Sequence, residues 1–323
     1  RCHLLSNGKL FFSGYAPRGA SLDLNDNGAP GSGYGNWTQL ASQPGQPLGT
    51  YSANWQEPRH DGSAVLFPNF GDLRDRIMRI GGAESFAGPT TNTTELIDAV
   101  SGGAWASGPP MTPIEAVDGG RVFLNVVILP TGALLAVGGQ HQDGSTMTPL
   151  YEPLLLEDGK WHKLAENPNP SKRTYHSTAV LLPDGRVFIG GGDDRDYDYE
   201  IFSPAYLDEP ANRPVNPVWQ TPAPFLDTDF DARVLERDIT YTIDFDPLPL
   251  GQTITKAVQM APGSVTHHSD MSQRYIELRT DVTNGNHVEF ATDRPETVLP
   301  RGIYMLFFVS NASVSEAIWV TFQ

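Results

Sequence analysis

Cysteine is almost absent from this 323-residue chain: Cys2 stands alone, which excludes an internal disulfide and any framework of paired cysteines. Positive charge is also scarce. Lys and Arg number 22 against 38 Asp and Glu, a net charge of −16. A surface of that sign repels phosphate backbones and argues against a nucleic-acid partner. No run of eighteen apolar residues occurs, so no membrane-spanning helix is expected. No segment of useful length carries the periodicity of an amphipathic helix. Two catalytic signatures are missing: the strained Gly-X-Ser-X-Gly elbow of a serine nucleophile, and a Gly-X-Gly-X-X-Gly phosphate cradle after a strand. The first residue is Arg rather than Met, so the chain reads as a processed product or a fragment.

Glycine and proline are plentiful instead, 32 and 27 residues, as a chain of many tight turns requires. Through the first two thirds one pattern recurs: alternating apolar residues, a polar turn with Gly, more β-rich residues, then Gly-Gly or Ser-Gly. It runs from Leu4 to Gly14, from Val65 to Gly82 with an insertion, from Val127 to Gly139 and from Val180 to Gly191. The Gly pairs begin at 81, 138 and 190, so they stand 57 and then 52 residues apart. Repeats of about 50 residues with strands and a Gly pair are the signature of kelch-type propeller blades. The turn glycines supply positive φ for hairpins, and the Gly pair ends a strand where backbones approach closely. Trp105 and Trp161 follow the second and third copies and are expected to fill the wedges between blades.

Near Asn212–Pro224 the prolines mark a linker or an edge strand, and the rhythm changes. Six or seven short alternating strands follow, among them Ile239–Phe245, Ile254–Met260 and Tyr304–Val309, with turns such as Asn284-Gly285. The expected fold is all-β. About four kelch-type β-propeller blades occupy residues 1–211, as part of a larger ring, and an immunoglobulin-like β-sandwich occupies 212–323. An open arc of four blades would leave sheet faces exposed, so a second polypeptide or missing blades are expected to close it.

The chemistry-bearing residues sit in two places. Arg173-Thr174-Tyr175-His176-Ser177 puts a phenol beside an imidazole at the head of the fourth repeat, and Gly263-Ser264-Val265-Thr266-His267-His268 adds imidazoles 91 residues later. A phenol and two imidazoles from separate segments suit a borderline metal such as copper. The pocket candidates are His141, Arg173, His268, Asp193 and Asp194. His141 follows a Gly pair at a strand end, and the acidic run Asp193–Glu200 reads as a solvated loop, a calcium loop or the frame of a substrate mouth. Three Asn-X-Ser/Thr sequons stand at Asn36, Asn92 and Asn311.

Four stretches carry a family resemblance. Arg173–Ser177 with Leu181–Val187 resembles the late-blade motif of galactose oxidase and glyoxal oxidase. Ser203–Leu207 resembles the segment that closes that blade. Gly263–His267, ending in Gln273-Arg274, resembles the second-His motif of the C-terminal domain, and Leu299–Phe308 resembles its last hairpin. The resemblance implies one copper ion held by two Tyr and two His, with one Tyr cross-linked to Cys as a radical. Carried over by position, Tyr175 is similar to the axial Tyr, His176 to the first His and His267 to the second, with His268 as its competitor. The radical Tyr and its Cys have no counterpart: Asp61 falls in a later blade, and Cys2 is expected to pack inside a strand. The implied activity is oxidation of a primary alcohol, aldehyde or carbohydrate by oxygen, giving hydrogen peroxide, in a secreted, extracellular or periplasmic protein. Tyr175 is the implied proton acceptor. The competing expectation is a non-catalytic propeller and sandwich that binds glycan or protein; copper without the radical is a third.

Overall fold

The computed structural model describes residues 1–13, 18–23, 36–42, 59–68, 75–83, 88–102, 105–112, 120–167, 170–193, 197–220, 222–283 and 285–323. Asp194 and Asn284 lie outside the described residues. Each repeat forms one antiparallel sheet. Blade 1 is built from Cys2–Leu4, Leu10–Phe12, Arg18–Asp23 and Asn36–Ser42, and blade 2 from Ser63–Leu66, Arg76–Ile80, Thr94–Asp98 and Ala106–Ser107. Blade 3 comprises Asn125–Ile128, Leu134–Val137, Leu154–Glu157 and Lys160–Lys163, with the hairpin Gln140–Asp143/Thr146–Pro149 set between its second and third strands. In blade 4, Ser177–Leu181, Val187–Gly191 and Tyr199–Phe202 pair as a sheet of three.

The repeated turn has a repeated cause. Gly8, Gly132 and Gly185 have φ of 80°, 94° and 87°, and their N–H groups donate to Leu5, Leu129 and Leu182 at 2.8–3.0 Å. Only glycine enters that region without strain. Trp105 is buried between blades, edge-on to Phe11 of blade 1 at 6.2 Å. The buried Trp161 of blade 3 donates to the Pro109 carbonyl after blade 2 at 3.1 Å.

A buried arginine stands four positions ahead of the first strand in each of blades 2, 3 and 4: Arg59, Arg121 and Arg173. Each guanidinium donates to a glycine carbonyl at the end of its own blade's second strand or beside it, Gly81 at 3.0 Å, Gly138 at 3.1 Å and Gly191 at 3.1 Å. The arginine's own carbonyl accepts from the preceding blade: Gly82 N–H reaches Arg121 O at 2.9 Å and Gly139 N–H reaches Arg173 O at 2.7 Å. A Cβ on Gly138 would lie 2.5 Å from Arg173 O, so the pair must be glycine. Blade is tied to blade by this alternation of Arg and Gly.

After two short 3-10 turns, the region read as a linker or an edge strand supplies the edge strand Val218–Trp219. Four strands (Val218–Trp219, Thr240–Asp244, His287–Ala291, Arg279–Thr283) form one sheet. Six (Phe225–Asp227, Ala232–Leu235, Ile318–Phe322, Gly302–Ser310, Ile254–Ala261, Arg274–Glu277) form the other. Alternation splits the long strand Ile254–Ala261: Ala257 enters the sandwich core, while Val258 and Met260 join Met305 and Phe307 in a core shared with blades 2, 3 and 4. Gln273 fixes that junction. Its amide accepts from Ile128 N–H at 3.0 Å and donates to Val126 O at 2.7 Å, continuing the edge of blade 3's first strand. Cys2 departs from expectation: it lies in a strand but is exposed and free, because its side chain leaves the face that packs.

Candidate functional site

The repeat register builds the site. Arg59-His60-Asp61, Arg121-Val122-Phe123 and Arg173-Thr174-Tyr175 are equivalent triplets. Because each Arg is clamped alike, Asp61, Phe123 and Tyr175 come out at one level, and Phe123 N–H donates to Asp61 O at 2.8 Å. Asp61 and Phe123 hold positive φ, 54° and 60°. Non-glycine residues rarely adopt such values, which concentrate at functional sites.

A finger from the sandwich meets them. Val265–Thr266 and Ser269–Asp270 pair as a hairpin whose two-residue loop is His267-His268. Both loop residues have positive φ, 51° and 56°, the type I′ geometry that favours Asn-Gly. The strain, about 1–2 kcal/mol per residue, is held by Asp270, whose Oδ1 accepts from Ser264, Ser272 and Gln273 N–H at 2.9–3.1 Å. The first strands of blades 2, 3 and 4 gather around this finger.

Three rings then face one another. The Tyr175 centroid lies 4.4 Å from His176 and 5.2 Å from His267, and the two imidazoles are 5.1 Å apart. Phe123 backs Tyr175 at 5.1 Å and His268 at 5.3 Å. His176 Nδ1 bonds Asp193, and His267 Nδ1 meets the Thr266 hydroxyl at 2.7 Å, so Nε2 is the nitrogen left to each ring for a metal. Among the described residues no group of three or more His, Cys, Asp or Glu could hold a metal ion. The Tyr175 phenol stands beside the two imidazoles as a further donor. Two imidazoles and a phenol fit a borderline transition metal.

The pocket candidates separate. His268 is 3% exposed, and its Nε2 accepts from Arg1 Nη2 at 3.1 Å. Burial, with the Arg1 cation adding to it, pushes the His268 imidazole down to about 3, so it is a neutral acceptor behind the triangle rather than an open pocket wall. Arg173 lines a cavity of about 320 Å³ with Gly138, Ile189 and Glu200, a cavity that none of the three rings lines. Arg173 is 4% exposed and bonds Glu200, Asp198 and Gly191, as a buried clamp must to satisfy its five donors. His141 lies on the blade 3 hairpin, with Nδ1 at 2.8 Å from Thr90 Oγ1 and 3.2 Å from Gly120 O. Asp193 belongs with His176, while Asp198 and Glu200 turn to Arg173, so the described acids of that run do not converge as calcium ligands would. Phe123 and the arginines Arg59 and Arg121 escaped the sequence reading. Aligning the three triplets on their Arg would have found them.

Residues 59–209 match the family model for the glyoxal oxidase N-terminus, and residues 228–322 match that for the galactose oxidase-like early set domain. A galactose oxidase of Gibberella zeae is 29% identical over 267 residues, covering 78% of this chain and 36% of that protein. The aldehyde oxidase GLOX1 of Arabidopsis thaliana is 30% identical over 246 residues, covering 66% of this chain and 38% of its own length. The aldehyde oxidase GLOX of Vitis pseudoreticulata is 30% identical over 289 residues, with 80% and 52% covered. The chain thus spans 36% to 52% of the length of these relatives. A fungal alcohol oxidase of the AA5 family, solved in complex with copper, matches the fold over 100% of this chain and 63% of its own, with a TM-score of 0.75 and 21% identity. Blades, sandwich and finger define an all-β propeller protein with an immunoglobulin-like early set domain. The chain belongs to the galactose oxidase and glyoxal oxidase family.

Proposed function

We propose that this chain is part of a secreted copper-dependent oxidase of primary alcohols or aldehydes, in which Tyr175, His176 and His267 hold one copper ion. The carrying observation is the triangle of rings at 4.4–5.2 Å, brought together from a blade and a sandwich finger. The family relatives named as galactose and aldehyde oxidases support it. Bound copper would supply a one-electron acceptor and a Lewis acid for a hydroxyl oxygen. Tyr175 would take the hydroxyl proton at its phenolate oxygen, and Phe123 would exclude water from the inner side of the rings. Oxidation of an alcohol removes two electrons, so a second one-electron acceptor is required. The resemblance implies a tyrosyl radical, which we assign to sequence outside these residues.

The proposal includes the division into kelch-type blades over 1–211 and a sandwich over 212–323, and closure of the ring by further blades from the same or another polypeptide. What supports closure is the outer face of blade 4. Phe188 stacks on Tyr199 at 5.6 Å, and Tyr199 and Ile201 are 66% and 37% exposed. The residues equivalent to Phe188 in blades 2 and 3, Met78 and Leu135, are buried.

Metal analysis with EPR tests the reading. One copper per chain, lost in His267→Ala and spectrally altered in Tyr175→Phe, is expected. A reconstituted protein that takes up no copper would overturn the oxidase reading for this chain alone and leave a binding propeller or a half that needs its missing partner.

A further inference from the structure

The loop between the second and third strands of blade 4 starts by winding back onto the very tetrapeptide that carries the site. Gly191 and Gly192 take φ of 71° and 143°. A Cβ on Gly191 would sit 2.8 Å from His176 O, and one on Gly192 would sit 2.6 Å from Lys172 O. The chain therefore lies flat against residues 172–176, and Asp193 arrives beside the His176 ring. Its two oxygens are held separately: Oδ1 by His176 Nδ1, Oδ2 by the Thr174 hydroxyl at 3.3 Å. Arg173 grips the loop at both ends, through Gly191 O at 3.1 Å and the Asp198 carboxylate at 3.1 Å. Each residue of Arg173-Thr174-Tyr175-His176 thus has a task at one place: Arg173 clamps the loop, Thr174 holds its carboxylate, and Tyr175 and His176 face the finger.

His176 and Asp193 are 54% and 43% exposed, so their pairing contributes little to stability. Its worth is orientation. The hydrogen bond at one imidazole nitrogen decides which tautomer is present and which nitrogen a metal can use. We propose that Asp193 is the positioning residue of this centre: it keeps the His176 proton on Nδ1, fixes the ring plane and presents Nε2 to the metal. This rests on Tyr175, His176 and His267 being the metal ligands.

The test uses the full chain, with Cu(II) as the probe. Asp193→Ala, Thr174→Val and Thr174→Ser are compared with the parent and with His267→Ala by chelator competition, Cu(II) EPR and thermal melting. The metal-free proteins are compared by histidine 15N shifts. Asp193→Ala should melt like the parent, bind copper about tenfold to a hundredfold more weakly and lose the fixed Nδ1–H form of His176. Thr174→Val should show a smaller loss that Thr174→Ser restores. Parental affinity and spectrum in Asp193→Ala, with copper still lost in His267→Ala, overturn the proposal and leave the metal reading standing. A parent whose His176 carries its proton on Nε2 also overturns it. A parent that binds no copper overturns the metal reading and the positioning role together.

Discussion

At the scale of single residues, buried polar groups decide most of the behaviour. His3 meets the Ser13 hydroxyl at 2.7 Å. The ring is half-buried, and desolvation pushes its imidazole from 6.5 down to about 3, with the N-terminal amine, Arg1, Arg274 and Arg79 adding to the shift. The unfolded chain takes up this proton below about pH 6.5, while the folded chain refuses it until about pH 3. Stability from this group is therefore intact above pH 6.5 and lost as pH falls through that window. Melting temperature against pH should drop below 6.5, and His3→Gln should flatten the drop; an equal slope in both refutes the assignment. Gly138 is a sharper case. Its φ of 66° and the 2.5 Å approach to Arg173 O leave no place for a methyl group. Gly138→Ala should cost more than about 2 kcal/mol in urea unfolding. The sequence shows the Gly pair as punctuation. That the second partner is an arginine carbonyl from the next blade is visible only in three dimensions.

At the scale of elements, the finger is the decisive unit. Its turn, His267-His268, has chemistry that hairpin rules do not favour, so its anchoring must come from elsewhere. Asp270 provides it by accepting three backbone N–H groups. Asp270→Ala leaves those donors without a carboxylate and should cost about 2–3 kcal/mol, with Asp270→Asn recovering part of it. The finger's loosening should also weaken copper binding, read by chelator competition; unchanged affinity would mean that the blades alone set the ligand geometry. The four blade hairpins, the strand runs of the sandwich and the Tyr175-His176 motif were legible in the sequence, because alternation and turn residues are local. The hairpin Phe225–Asp227/Ala232–Leu235 and the strand Arg279–Thr283 were not. The two hairpin strands are only 3 and 4 residues long and Arg279–Thr283 has Val282 as its sole apolar residue, so pairing with neighbours rather than propensity makes them strands.

At the scale of the molecule, blades and sandwich share one core. Val258, Met260, Met305 and Phe307 of the sandwich pack with Leu134, Val187 and other blade residues, and Gln273 bonds the edge of blade 3. The described part of the chain should unfold in one transition by calorimetry rather than as two domains. Gln273→Ala removes both partners of a strand edge and should cost about 2–4 kcal/mol without splitting that transition; two resolved peaks in the parent would contradict a shared core.

Its resemblance to the galactose oxidase and glyoxal oxidase family pointed to Tyr175, His176 and His267. The sequence by itself determined the all-β class, the blade period and the change of rhythm near Asn212. These follow from spacing, turn chemistry and residue type, which are properties of neighbours along the chain. The tertiary structure decided the rest. It made Arg173 a clamp between blades and His268 a buried acceptor, because burial and partner geometry depend on segments up to 267 residues away. It also joined Asp61, Phe123 and Tyr175 at one level of the axis, because equivalent positions in successive blades converge only once each blade is tied to the next.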